Sequence, residues 1–243
     1  MSTDKSDNLI KVDMHCHTVL SKDSLNDPRK LVETAASRGL GALCVTDHNA
    51  LAAALDLSRL PNLPIKIIPS EEVKSNEGEI IGYFLTELVP KGLSPEETAR
   101  RIQGQGGLVA IPHPFDSLRT GSRIKTPALE RLVEAGLVDI LEVLNARSID
   151  PEDNKKALDF ARAHNLPMSA GSDAHSLVEV GRAYAEVEPF DGAQQFLEAL
   201  KKGSVSGTES NKFIHITSTW ARVAKAIPVV GERFKWHNLN QTV

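Results

Sequence analysis

The sequence predicts an α/β fold around a mainly parallel sheet, and three observations carry that reading. Apolar strand-like runs alternate with helical ones. Prolines preceded by polar residues mark the starts of the helical runs. Polar clusters rich in histidine fall where several strand-like runs stop. At 243 residues, with 41% hydrophobic and 25% charged residues, the chain is long enough to bury a sizeable core.

The strand-like runs are NLIKVDMH, GALCVT, IKIIP, EIIGYFL, GLVAIP, VDILEVL, LPMSAG and RAYAEVE. Between them, Asp27-Pro28, Ser94-Pro95, Thr126-Pro127 and Asp150-Pro151 announce helices, because a residue in a helix's first turn needs no intrahelical partner for its N–H. Ser94 and Glu97 form a capping-box pattern, and the helix they open runs out in glycine at SPEETARRIQGQGG.

Twenty-eight basic residues against 32 acidic ones give a net charge of −4, which disfavours an electrostatic nucleic-acid or membrane surface. Cys16 and Cys44 sit in apolar runs without metal-knuckle or disulfide spacing, as suits a reducing compartment. The opening MSTDKSDN lacks the basic and apolar regions of a secretory signal, and no apolar stretch is long enough to span a bilayer. The expectation is a soluble, cytoplasmic protein.

In an extended strand side chains alternate, so Asp13, His15 and His17 are expected on one face and Val12, Met14 and Cys16 on the other. Buried imidazoles need partners, and a metal supplies one. A single H-x-H pair is weak evidence. The other clusters strengthen it: ALCVT ends in Asp47-His48, GLVAIP in His113-Pro114, and LPMSAG in Ser172-Asp173-Ala174-His175. All lie at C-terminal ends of expected strands, the functional face of α/β barrels.

DMHCHT, TDHN, PSEEV, IPHPFD and GSDAH, in that order from Asp13 to His175, resemble the motifs of the PHP family, the polymerase and histidinol phosphatase superfamily of metal-dependent phosphoesterases. The following SLVEVGRAY resembles small stand-alone members with a PHP-associated C-terminal region. The resemblance implies a distorted (β/α)7 barrel with two or three divalent metals at the strand C-termini. It implies a first metal held by His15, His17, Asp173 and Glu72, with Glu72 bridging to a second metal that His113 also binds. Asp23, His48 and His175 would hold a third. Asp13 and Asp47 are expected beside the ligands, Asp47 orienting His48.

Three departures from the pattern stand out. Ser70 replaces a usual glycine, leaving Glu71 as an alternative to Glu72, and Asp23 falls one position late. The window that supplies a further histidine in some relatives holds only His164, in a helical run where a surface role is expected. The second metal is then expected to use water or a residue near Glu142 and Asn145.

Residues 1–9 read as a tail, 10–203 as the barrel domain, and 204–243 as a C-terminal segment that packs on the barrel or mediates association. Imidazole and carboxylate ligands suit manganese, iron or zinc. Paired metals generate hydroxide from water near neutral pH. The expected activity is hydrolysis of a small phosphorylated metabolite, such as a nucleotide or histidinol phosphate, with Asp173 or His175 passing a proton to the leaving oxygen. Arg119, Arg123 and Arg147 are expected to clamp phosphate at the rim. A nuclease acting on nucleic-acid ends and a non-catalytic metal-binding module are the alternatives.

Overall fold

The computed structural model describes residues 9–208, together with Ala221 and Lys225. All eight strand-like runs are strands: β1 (Ile10–Cys16), β2 (Ala42–His48), β3 (Lys66–Ser75), β4 (Gly78–Tyr83), β5 (Leu108–Ile111), β6 (Ile140–Asn145), β7 (Met168–Gly171) and β8 (Ala183–Val187). Ser204–Gly207 adds β9, so the first residues of the expected C-terminal segment belong to the sheet. The helices are α1 (Pro28–Ser37), α2 (Ala52–Ser58), α3 (Pro95–Gly104), α4 (Thr126–Glu134), α5 (Pro151–Ala163) and α6 (Gly192–Lys202). The N-terminal tail up to residue 8 and most of 209–243 lie outside the described residues.

Three of the four proline-marked helices start as read. Asp27, Ser94 and Asp150 each accept backbone N–H groups of the first turn. In the fourth, α4, Thr126 is itself helical and Lys125 takes the cap position without a side-chain bond. The capping box is one-sided: Glu97 N–H donates to Ser94 Oγ at 3.1 Å, but the Glu97 carboxylate accepts from Arg101 instead.

The strand order is β7-β6-β5-β4-β3-β2-β1-β8-β9, and the sheet curls until its ends nearly meet. Cys16, closing β1, bridges Ala174, three residues beyond β7. His17 N–H donates to the Ala174 carbonyl at 3.0 Å, and Asp173 N–H to the His15 carbonyl at 2.7 Å. The result is a nearly closed barrel of β1 to β7, with β8 and β9 added antiparallel along the N-terminal half of β1, two strands more than the resemblance implies.

The sheet is mixed rather than mainly parallel, because β4 runs antiparallel to both β3 and β5. Only Asn76 and Glu77 separate β3 from β4, too short a link for the crossover that parallel strands require. Gly78 makes that hairpin fit. Its φ is 136°, and a Cβ there would stand 2.2 Å from Ile124 Cα.

Alternation along the strands sorts two buried layers. Val12, Met14, Cys44, Ile68, Ile81 and Ile140 fill the barrel interior, whereas Leu43, Val45, Ile67, Ile80 and Leu141 pack beneath the helices. The end of the barrel beyond Tyr83 is closed by aromatic packing, with the Phe84 ring 5.5 Å from that of Phe196. In β1 the alternation breaks: Asp13 pairs with Leu43 and Cys16 with Val45, three steps on β1 against two on β2. This bulge turns the strand over. Val12 and Met14 point inward and Cys16 outward, so Asp13 does not share a face with His15 and His17 as simple alternation predicts.

Gly78→Ala should cost about 3 kcal/mol or more of unfolding free energy, since it meets both positive φ and backbone it cannot displace. Denaturant melts measure this, and a cost below about 1 kcal/mol would contradict the packing described.

Candidate metal centre

The barrel mouth is where the histidines gather. His17 follows β1, His48 ends β2, Glu72 lies near the end of β3, and His113 and Asp173 sit two residues beyond β5 and β7. Because β4 is reversed, its first residues reach the same rim and bring Glu79 there. His113 and Asp173 hold positive φ angles of 30° and 51°, an uncommon backbone for either residue and one found at sites that need a side chain re-aimed.

Four overlapping groups each place their ligand atoms within 4.8 Å of one another: His15 with His17 and Asp173, His15 with Glu72 and His113, His17 with His48 and His175, and His48 with Glu72 and Glu79. Glu72 is central. Its Oε2 lies 3.5 Å from His15 Nε2, 3.6 Å from His17 Nε2 and 2.9 Å from His48 Nδ1, and its Oε1 lies 3.1 Å from His113 Nε2. Asp23 stands at the edge, 3.4 Å from His175 Nε2 and 3.7 Å from His48 Nε2.

Outer partners aim the rings. Glu142 Oε1 lies 3.0 Å from His15 Nδ1, and a carboxylate only accepts, so that nitrogen carries the proton and Nε2 faces the centre with its lone pair. Ser21 Oγ gives its proton to Asp47 at 2.6 Å and lies 3.1 Å from His17 Nδ1, which exposes His17 Nε2 in the same way. Asp47 therefore acts on His17 through Ser21. It does not orient His48 directly, since its carboxylate is occupied by Thr18 and Ser21. Asp13, on the outward face, accepts from Ser172 N–H and Oγ and from Gly181 N–H, holding the turn that carries Asp173.

The electrostatics follow from burial. Burial and the neighbouring His175 and His48 charges press His17 down to about 3. For His48 burial acts downward too, but Glu72 outweighs it and lifts the ring to about 9. Burial opposes ionisation of Asp173, yet Arg119 and His15 hold it well below the usual carboxylate range.

A metal fits these residues. His15 Nε2, His17 Nε2, Glu72 Oε2, Glu79 Oε2 and Asp173 Oδ1 are buried without a hydrogen bond, though buried polar atoms nearly always have one. They converge, they are imidazole nitrogen and carboxylate oxygen, and divalent ions are bound by that donor set.

Comparison with known proteins agrees. The family model for the PHP domain matches residues 13–88, and that for the PHP-associated region matches 151–205. An uncharacterised protein of Methanocaldococcus jannaschii is 39% identical over 199 residues, 79% of either chain. The chain belongs to the PHP family. Among solved structures, a two-domain protein of Bacteroides vulgatus, described as containing a predicted PHP-like metal-dependent phosphoesterase, matches 88% of this chain and 70% of its own with a TM-score of 0.69 and 20% identity. The lesion-specific endonuclease EndoQ of Pyrococcus furiosus matches 81% of this chain and 57% of its own, with a TM-score of 0.56 and 20% identity. At that identity the two structures speak for the fold.

The PHP centre here differs from expectation in several residues. Glu79 is a new member, and alternation could have found it, since it leads Ile81 and Tyr83 on the inner face of β4; Glu142, expected near the second metal, instead meets His15 Nδ1. Asn145, the other residue expected near the second metal, donates to Glu142 and Asp173. Arg119 is present but bonded to Asp173 and Asp116. Arg147 is buried, 3.1 Å from Glu179, and is a structural ion-pair member rather than a rim clamp. Arg123 lies on the turn against the β3–β4 hairpin and does not line the cavity at the centre. His164 caps α5 on the surface, its ring 4.3 Å from Phe160. Gly171 is also required, because a Cβ there would meet His15 Cβ at 2.3 Å.

Glu71 points away from the centre and accepts from Val89 N–H, so Glu72 is the residue in register. Burial lifts the Glu71 carboxyl to about 7 from 4.5. The folded state then holds this proton more tightly than the unfolded chain, so its contribution to stability is complete below about pH 4.5 and is lost as pH rises through about 7. Glu71→Gln should therefore stabilise the protein at pH 8, by roughly 2 kcal/mol, and leave it near wild type at pH 4.5. Thermal melts at both values, with calorimetry showing divalent-ion binding kept in Glu71→Gln and lost in Glu72→Gln, test the assignment.

Proposed function

We propose that this PHP protein hydrolyses a small phosphorylated metabolite, a phosphomonoester such as a nucleotide or histidinol phosphate, in a metal-dependent reaction. The observation that carries the reading is the convergence, at one barrel mouth, of buried imidazole and carboxylate atoms that make no hydrogen bond. His15, His17, Asp173, Glu72 and His113 would hold two divalent ions, with Asp23, His48 and His175 as sites for a third; manganese, iron and zinc all suit these ligands. Bound there, such ions supply hydroxide from water near neutral pH and offset charge on phosphoryl oxygens.

The chain's own part is orientation and proton handling. Arg119 keeps Asp173 ionised and turned toward the histidines. Glu142 and Ser21 fix the tautomers of His15 and His17. His175 Nδ1 is 2.8 Å from the Asp173 carbonyl, so its Nδ1–H is committed and Nε2 faces Asp23. With only two ions bound, His175 or Asp173 would pass a proton to the leaving oxygen, His175 standing beside Asp23 on the wall of the cavity.

A nuclease is the second reading, favoured by the fold likeness to EndoQ and disfavoured by the net charge of −4. Two buried free cysteines, and the lack of a helix among the described residues long and apolar enough to cross a membrane, accord with a cytoplasmic enzyme.

Protein stripped of metal and reloaded separately with manganese, iron or zinc should release phosphate from a phosphomonoester panel. His15→Ala and Asp173→Ala should each fall to the background of the stripped protein, and His164→Ala should match wild type. Degradation of oligonucleotides without turnover of any small ester would move the assignment to the nuclease. Full activity in metal-depleted His15→Ala would sink both.

A further inference from the structure

A cavity of about 860 Å³ opens beside the metal centre, and its wall includes Lys22, Lys74, Lys91 and Lys225. Four ammonium groups at one mouth run against a chain whose net charge is −4. The acids in the same wall are turned to the histidines: Asp23 lies 3.4 Å from His175 Nε2, and Glu79 lies 3.9 Å from His113 Nε2. Their charge is shared with the centre and with Lys74, and Lys22, Lys91 and Lys225 stand as the excess charge facing a ligand.

The lysines divide into two kinds. Lys74 Nζ donates to the Gly121 carbonyl at 2.6 Å and lies 3.9 Å from Glu79. Lys225, reaching in from the C-terminal segment, donates to the carbonyls of Val19 at 2.7 Å and Ser21 at 2.6 Å. It thereby ties the loop that carries Ser21 and Asp23, and keeps a third N–H donor in hand. Lys22 and Lys91 are exposed and make no hydrogen bond or ion pair through their side chains among the described residues.

We propose that the substrate's leaving group carries an anionic group of its own, a carboxylate or second phosphate, and that Lys22 and Lys91, with Lys225 behind them, form the subsite that reads it. This rests on the phosphoesterase reading and narrows it. With the scissile phosphate at the histidines, the rest of the ester extends into a wall of like positive charges. A leaving group bearing an amine, as in histidinol phosphate, is repelled there, and an anionic one is drawn in.

The test uses full-length, metal-reloaded protein and three esters with one skeleton: phenyl phosphate, its ring-carboxylated analogue and its aminomethyl analogue. Lys22 and Lys91 are the positions to change, because Lys74 and Lys225 also hold backbone carbonyls. Wild type should prefer the carboxylated ester over the aminomethyl one by about tenfold or more in kcat/KM, through KM, and high salt should erode the preference. Lys22→Ala/Lys91→Ala should lower that ratio severalfold, the remainder resting on Lys74 and Lys225, whereas the remote Lys201→Ala should keep the wild-type ratio. Comparing ratios between proteins cancels the intrinsic reactivity of each ester. Unchanged ratios in the double variant, with phosphate still released, would overturn the subsite and leave the phosphoesterase standing. No release from any ester under any metal would overturn that reading and the subsite with it.

Discussion

The structure depends on burying a dense set of imidazoles and carboxylates at one end of a barrel whose interior is otherwise apolar. Desolvating such groups singly is costly, and here each is answered by another. Asp173 meets Arg119 and the histidines, Glu72 meets four rings, and Glu142 and Ser21 each occupy the far nitrogen of a histidine. The set remains short of hydrogen-bond partners by its innermost atoms, the ones a divalent ion would satisfy. The donors are thus held in place before any ion arrives, and little reorganisation is left for binding.

Two backbone devices deliver these side chains. The bulge in β1 converts a strand that points Val12 and Met14 into the barrel into one that points His15 and His17 there, while Asp13 turns outward to hold the Ser172 turn. The reversal of β4 brings the beginning of a strand to a rim otherwise made of strand ends, and so places Glu79 beside Glu72. Neither device changes the hydrophobic pattern enough to announce itself. A bulge requires only one extra residue, and a reversed strand alternates like any other.

The cavity adds a different kind of selectivity. In the proposed reaction the centre would serve any phosphate ester, whereas the lysines that line the cavity would read what lies beyond the scissile bond. One of them, Lys225, comes from a segment more than forty residues downstream of the last site motif, His175. Rim charge of this kind acts through attraction and repulsion over several ångströms, so it sorts ligands without close fit.

All eight strands found from the sequence are present, because apolar runs bounded by helix signals are local properties. The residues around His15, His48, Glu72, His113 and Asp173 were legible for the same reason: ligand-type side chains recurred at strand ends. What only the tertiary structure decided was how those ends face one another. It chose Glu72 over Glu71 through strand register, and it placed Arg147 inside against Glu179. It recruited Glu79, turned Glu142 to His15 Nδ1, and bonded Arg119 to carboxylates. Sequence spacing specifies which face of a strand a residue takes until a bulge intervenes; which charge meets which across the barrel depends on contacts more than a hundred residues apart, such as His15 with Glu142.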